Sequence, residues 1–500
     1  MAFATLRKHQ VQAKAIAEAI VDGTWSLRGR KTVVCNVTPG GGKTGLAGIF
    51  AQILLEGGAV NRLLVGMPRS NLVRQIVATF RANGAPVLKA EQGKLQQSSM
   101  ERSHGFATTY QLVSKDAAAF AKFVAGGRTL LVLDEAQFLA MKRIEDIGPE
   151  STAKAELAWY NAIRGSFDAA TVVLIMTGTI CREDGEPLAF VEYKDGVPCV
   201  DIRYSRKDAL EEKAIIPIEF IASDADAEWS VNGHHRRSTL REAKGKDIQR
   251  TRAAFLGDSR AMDDFIRNAL SHWKQWRQRN ALAGDAKCII LCKSQDEAIR
   301  VTAWLETEGV RVAIAISDDG DGKSDQRIGD FANNLGAHVL VTVAMAHVGL
   351  DVPDATHLIC LSRYRSKSWL EQAFARVTRF NPKFGSWDAQ RAFIFVPDEL
   401  EMQAFIEEID IDQTEALAKR KEGAVFAHMA RPASLVENLG ASLNGGVRYA
   451  TDGAGFLSDA ECAGIESVDR DYPQFAHLAP TDKLKIWHVV ADRHPRPAAE

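Results

Sequence analysis

The stretch "VTPGGGKT" (37–44) places three glycines, a lysine and a threonine in one short run. In front of it, "KTVVCNV" (31–37) is a β-branched apolar run that reads as a buried strand. Behind it, "TGLAGIFAQILLEGG" (44–58) has helical apolar spacing and closes on a glycine pair. A glycine loop between a strand and a helix is the context in which Gly-Lys-Thr becomes a phosphate site. Gly40, Gly41 and Gly42 let backbone N–H groups converge on an anion, and the helix N-terminus adds its dipole. Lys43 would then reach the outer phosphates of a nucleotide, and Thr44 would hold Mg²⁺. The strict phosphate-loop pattern asks for Gly at position 37, where this chain has Val37. A plain glycine turn is the competing reading of the loop taken alone.

A second run fits the first. "TLLVLDEAQFL" (129–139) drives an apolar strand straight into two adjacent carboxylates. An isolated Asp-Glu pair is ordinarily a solvated loop. At the end of a parallel strand beside a phosphate loop, Asp134 can instead orient Mg²⁺ and Glu135 can polarise the attacking water.

Composition sets the outer limits. Over 500 residues, more than one domain is expected. Its 62 Lys+Arg against 64 Asp+Glu announce no polyanionic or polycationic partner globally. The 7 cysteines are scattered as in a reducing cytosol, and Cys288 and Cys292 sit in an apolar run that reads as core. With no signal-like start and no apolar run near the ~20 residues a bilayer requires, a soluble cytoplasmic protein is expected.

Further segments fall in a telling order. They are "LRKHQ" (6–10), "LLVGMPRSNLVRQ" (63–75), "FATTYQLV" (106–113), "DEAQ" (134–137), "IMTGT" (175–179), "LVTVAMAHVGLDVPDATHLICL" (340–361) and "WLEQAFARVTRF" (369–380). Together they resemble the superfamily 2 helicases of DEAD/DEAH-like type, nearest the DNA-translocase branch that includes type III restriction (Res) subunits. The resemblance spans about residues 6 to 400.

That resemblance implies an α/β fold: two tandem RecA-like parallel-sheet lobes with a C-terminal extension. It implies ATP and Mg²⁺ as cofactors, with Gln10 reading the base and Gly349 and Asp351 in a later nucleotide-facing segment. Gln137, Thr177, Thr179 and Gln372 would couple the ATP site to nucleic acid, which Pro68, Arg69 and Thr109 would contact. Arg376 and Arg379, from the second lobe, would meet the charge that develops on the transferred phosphate. The family usually has Gly where this chain has Ala375, a small-for-small exchange.

Domains are expected at 1–215 (ATP-binding lobe), 216–260 (a linker or inserted basic segment), 261–400 (second lobe) and 401–500 (extension). Met262, Phe265, Ile266, Ala269, Leu270, Trp273 and Trp276 recur at helical spacing and read as a packing face. Residues 234–280 hold 12 Lys+Arg against 5 Asp+Glu, so Arg267, Lys274, Arg277 and Arg279 become candidates for extra phosphate contacts. "SDDGDGKSD" (317–325) lacks the calcium-loop glycine and reads as an acidic surface loop; His234 and His235 have no ligand partner at useful spacing. The extension is net acidic and could meet a protein partner. The expectation is an ATP-dependent helicase or translocase acting on nucleic acid, DNA before RNA, with no membrane role. Its rival is a nucleic-acid-stimulated switch that remodels complexes without unwinding.

Overall fold

The computed structural model describes residues 6–25, 31–93, 95, 102–139, 150–180, 187–231, 234–280, 284–316, 323–343, 352–421, 439–442 and 448–451. These fall into two compact units. The first runs to Ile215 and also takes Ser366–Phe380; the second begins at Ile216 and holds the remaining described residues.

The first unit is a parallel sheet with helices connecting its strands. Its strands are β1 (Thr32–Val37), β2 (Arg62–Met67), β3 (Leu88–Lys89), β4 (Gly105–Thr109), β5 (Thr129–Asp134) and β6 (Val172–Thr177). A small hairpin, β7 (Tyr193–Lys194) and β8 (Val197–Pro198), precedes β9 (Ile202–Tyr204). The main sheet has the order β3-β4-β2-β5-β6-β1-β9. All six residues of β5 and all six of β6 are buried, as expected for strands covered on both faces. Helices α1 (Lys8–Val21), α2 (Lys43–Glu56), α3 (Ser70–Ala82), α4 (Tyr110–Lys115), α5 (Ala117–Ala125), α6 (Glu150–Ala169) and α7 (Arg206–Glu211) complete the chain to Ile215.

The second unit opens with β10 (Ile218–Val231) and β11 (His234–Thr239), then α8 (Lys246–Gly257) and α9 (Ser259–Arg279). The stretch 216–260, expected as a linker or insert, is therefore built into this unit: β10 pairs in parallel with a later strand over Ile218–Ser223 and then turns into a hairpin with β11. Next come β12 (Lys287–Leu291), α10 (Gln295–Thr307), β13 (Val312–Ala315), α11 (Ser324–Ala332), β14 (Val339–Thr342) and β15 (Ala355–Cys360). After α12 (Lys367–Phe374), which groups with the first unit, follow β16 (Ala392–Pro397), α13 (Leu400–Lys421), β17 (Leu439–Ser442) and β18 (Arg448–Thr451). The sheet order is β13-β14-β12-β15-β16-β10-β18-β17, parallel as far as β10 and antiparallel beyond.

The apolar stripe of α9 is buried from Met262 to Trp273, so those residues are core, and Trp276 packs partly buried beside them. Cys288 and Cys292 are buried in the same cluster. No helix among the described residues is long and apolar enough to cross a membrane. Residues 317–322 of the acidic run lie outside the described residues, as does most of the extension after Lys421; His234 and His235 lie on β11, and their side chains are likewise outside.

Candidate active site

Strand β1 ends the sheet's reach at Val37, which pairs with Tyr204 of β9. The position where the phosphate-loop pattern asks for glycine is thus a buried strand residue, and the turn is made by the three glycines after it. Gly40 (φ 78°) and Gly42 (φ 97°) take left-handed backbone conformations that a side chain would strain. Gly41 is confined differently: an added Cβ would lie 2.8 Å from the Thr38 carbonyl oxygen. Helix α2 starts at Lys43 with no side-chain cap and no carboxylate in its first turn. Its leading N–H groups therefore remain available to an anion.

The sheet order brings the other pieces to this loop. Strands β1, β6 and β5 are neighbours, so the segments that follow them emerge side by side. At the end of β5, the Tyr110 hydroxyl donates to the Asp134 carbonyl at 2.6 Å. Glu135 then adopts φ 52°, the left-handed region, which is uncommon for a residue with a side chain. This turn delivers its carboxylate to Lys43, with Nζ 2.5 Å from Oε1. Gly178 makes room: a Cβ there would sit 3.3 Å from the same Nζ.

The two carboxyl groups are pushed apart. Burial, and then the Glu135 charge, raise Asp134 to about 7 against the opposing pull of Lys43. Burial also acts to raise Glu135, but the Lys43 cation and hydrogen bond, the Gln137 amide and the Arg376 cation outweigh it and hold Glu135 below its ordinary value. Glu135 is the ionised member. Asp134 and the Thr44 hydroxyl are the oxygen donors here that could hold Mg²⁺ alongside water.

A relay runs on from Glu135. The Gln137 amide donates to Glu135 Oε2 at 2.7 Å, and its Oε1 lies 2.8 Å from the Thr177 hydroxyl. That hydroxyl also lies 2.7 Å from the Thr179 carbonyl and accepts from the Thr179 N–H at 3.0 Å. Gln372 Nε2 then donates to the Thr179 hydroxyl at 3.2 Å. Gln372, Arg376 and Arg379 thus belong by contact to the first unit, although their segment was expected in the second lobe. Arg376 acts on Glu135 electrostatically, and Arg379 forms a β-bridge with Ile215.

On the other flank, the Arg7 guanidinium donates to the Gly41 carbonyl at 2.6 Å. Gln10 is buried, and its Oε1 accepts from the Arg7 N–H at 3.0 Å, closing the first turn of α1 beside the glycine loop. Arg7 was carried in the sequence only as part of a motif. Tyr204, Asp208 and Glu212, which also reach this turn, lack any signal in their local sequence.

Pro68 and Arg69 follow β2, and Thr109 ends β4; Met67 and Thr109 are register partners, so these candidates share one edge of adjacent strands. The Thr109 hydroxyl also accepts from the Leu112 N–H at 3.1 Å, which caps α4. Gly349 and Asp351 lie outside the described residues. On α9, Lys274 and Arg279 are exposed. Arg267 is engaged by Asp264 at 2.5 Å and Glu308 at 3.3 Å, and Arg277 donates to the Gly284 carbonyl while stacking over Trp273.

Two family models match separate stretches of the chain, and the second takes in the segment 366–380 that groups by contact with the first unit. Residues 4–182 match the family described as type III restriction enzyme, res subunit, and residues 274–381 match the helicase conserved C-terminal domain. Neither match covers 183–273. An uncharacterized Mycobacterium tuberculosis protein is 26% identical over 402 residues, 76% of this chain and 61% of its own length. A Mycobacterium leprae protein is 25% identical over 428 residues, 82% of this chain and 68% of its own. The chain thus spans about three fifths of the length of the M. tuberculosis relative. Among solved structures, the ATP-dependent type ISP restriction-modification enzyme LlaBIII bound to DNA aligns at a TM-score of 0.50 with 15% identity, covering 79% of this chain and 27% of its own. A fragment assigned as the HsdR subunit of a type I restriction enzyme from Vibrio vulnificus YJ016 aligns at 0.50 with 16% identity, covering 82% and 70%.

Proposed function

We propose that this chain, which belongs to the superfamily 2 helicases and has a Res-like first lobe, couples ATP hydrolysis to movement along nucleic acid, DNA in preference to RNA. One observation carries the reading: Lys43, Glu135, Gln137, Thr177, Thr179 and Gln372 form one unbroken chain of polar contacts. A nucleotide-binding turn that did nothing further would have no use for the part beyond Glu135.

In this reading the nucleotide phosphates enter the glycine loop and draw Lys43 away from Glu135. Glu135 is then left ionised to orient and polarise the attacking water. Mg²⁺, held by Thr44 and Asp134, would supply charge neutralisation at the phosphates. Gln10 and Arg7 flank the base side, while Gly349 and Asp351 would act from the later segment. Gln137 and Thr177 fix the Glu135 carboxylate, so its aim depends on where Gln372 holds Thr179. Arg376 and Arg379 would add positive charge in the transition state. Nucleic acid would run past Pro68, Arg69 and Thr109 and be gripped by its sugar-phosphate backbone, which suits a motor indifferent to sequence. The likeness to LlaBIII, a restriction-modification enzyme bound to DNA, supports the preference for DNA.

The test is ATP hydrolysis measured beside single-stranded, duplex and branched DNA and RNA, together with strand-displacement and translocation assays. Stimulation led by DNA with directional movement is expected. Stimulation without either displacement or translocation would favour the remodelling switch, and no stimulation by any nucleic acid would remove the motor reading.

A further inference from the structure

The segment from β9 to the end of the first unit's main stretch, Tyr204–Ile215, lies between the two family matches. It touches the glycine loop more often than its place in the chain would suggest. The Tyr204 carbonyl accepts from the Thr38 N–H at 2.9 Å, at the point where the loop leaves β1. Its ring edge lies 3.0 Å from where a Cβ on Gly41 would be, and Ile215 lies 3.2 Å from the corresponding point on Gly40. Tyr204 is only 1% exposed, and its hydroxyl donates to Glu212 Oε2 at 2.8 Å.

The same carboxylate reaches the start of α1. Glu212 Oε1 accepts from the Lys8 N–H at 3.0 Å, and Lys8 Nζ donates to Asp208 Oδ1 at 2.6 Å. Between these contacts, the fully buried His9 ring packs on the Tyr204 ring with centroids 4.1 Å apart. Asp208 is itself held by the Ser205 N–H and hydroxyl at 3.0 and 2.8 Å, so α7 presents its acids from a fixed turn. Helix α1 has no acidic residue in its first turn, and Glu212 supplies that partner from 204 positions away.

We propose that Tyr204 and Glu212 are positioning residues that hold the first turn of α1 onto the glycine loop, and thereby set the geometry in which Arg7 meets Gly41. Neither residue is part of the polar chain that runs from Lys43 to Gln372. Tyr204 braces the loop from one side through its ring and carbonyl. Glu212 ties that brace to the backbone of α1, so the loop and the helix move as one body. For nucleotide turnover the inference rests on the function proposed above; the bracing itself does not.

The test reads both. Amide hydrogen exchange on the intact chain, without nucleotide, is compared for wild type, Tyr204→Phe, Glu212→Ala and Glu212→Gln. Exchange in peptides covering 6–13 and 38–46 should rise roughly fivefold in Glu212→Ala, the change one lost hydrogen bond carries, while β5 stays protected. Tyr204→Phe should loosen 38–46, and Glu212→Gln, whose amide oxygen can still accept from the Lys8 N–H while its NH2 donates to the Tyr204 hydroxyl, should lie nearer wild type. With ATP, Glu212→Ala should raise KM several-fold with a smaller effect on kcat. Unchanged exchange in both peptides, or a rise spread equally over β5, would overturn the brace. Absence of ATP binding by wild type would instead sink the proposed function and leave the exchange result to decide the brace.

Discussion

Glu135 and Gly41 show how much a single position can disclose. The Asp-Glu pair was legible because an apolar run leads directly into it. The left-handed backbone that turns Glu135 onto Lys43 has no sequence mark. Gly41 was legible only as one glycine among three, yet it is the one whose replacement would press on backbone: a Cβ would lie 2.8 Å from the Thr38 carbonyl oxygen. Overpacking of this kind costs about 1–3 kcal/mol, here charged to the loop's shape. Gly41→Ala should therefore weaken ATP binding by about tenfold or more in a titration, with little change in melting temperature. Wild-type affinity would mean that the loop relaxes around the methyl group. Tyr204 and Glu212 escaped the sequence altogether, since a hydrogen bond spanning 204 positions leaves no local pattern.

Strand β5 read correctly as buried because every residue in it is covered and its apolar run is continuous. Strand β10 did not. Beyond Ser223 it alternates alanine with acid, and Ala225 and Ala227 are buried on its inner face. Alanine gives too faint an apolar signal to separate such a strand from a polar linker. Helix α9 was legible on its apolar side, but its basic side needed the structure. Arg267 and Arg277 are engaged within the second unit, leaving Lys274 and Arg279 as the candidates for phosphate contact. Changing those two together to Ser should make the log–log salt dependence of binding shallower by roughly 1.4 to 1.8. Arg267→Ser should leave the slope nearly unaltered. Equal effects from both variants would put the whole face on nucleic acid.

The pairing of α9 with β15 also carries a pH signature. His272 Nδ1 lies 3.1 Å from His357 Nε2, and the Thr356 hydroxyl is 2.8 Å from His357 Nδ1. Burial, then Arg279, push His272 down to about 4; burial, then His272, push His357 well below the usual range. Both are neutral in the folded unit, while the unfolded chain takes up protons near ~6.5. Their contribution is therefore complete above that pH and is lost as pH falls toward 4. The stability gap between wild type and His272→Gln should accordingly narrow from pH 7 to pH 5 in denaturant titrations. A gap that stays constant would contradict a neutral buried pair.

At the scale of the whole molecule, the ordered motifs made the family legible, because pieces such as the glycine loop, "DEAQ" and "IMTGT" follow the ends of β1, β5 and β6, where a parallel sheet collects its loops. The chain's order did not reveal that 366–380 groups with the first unit, so that Gln372 and Arg376 share a site with Thr179 and Glu135. Packing decided that, and packing between distant segments is what a single sequence states least. The central claim is that Glu135, freed from Lys43 by the nucleotide, activates water in a nucleic-acid-stimulated ATPase. The measurement that tests it most directly compares ATP binding and ATP turnover, at saturating DNA, for wild type and Glu135→Gln. The amide keeps the shape but not the charge, so binding should persist while turnover falls by about 10² or more. Turnover by Glu135→Gln at the wild-type rate would contradict the account.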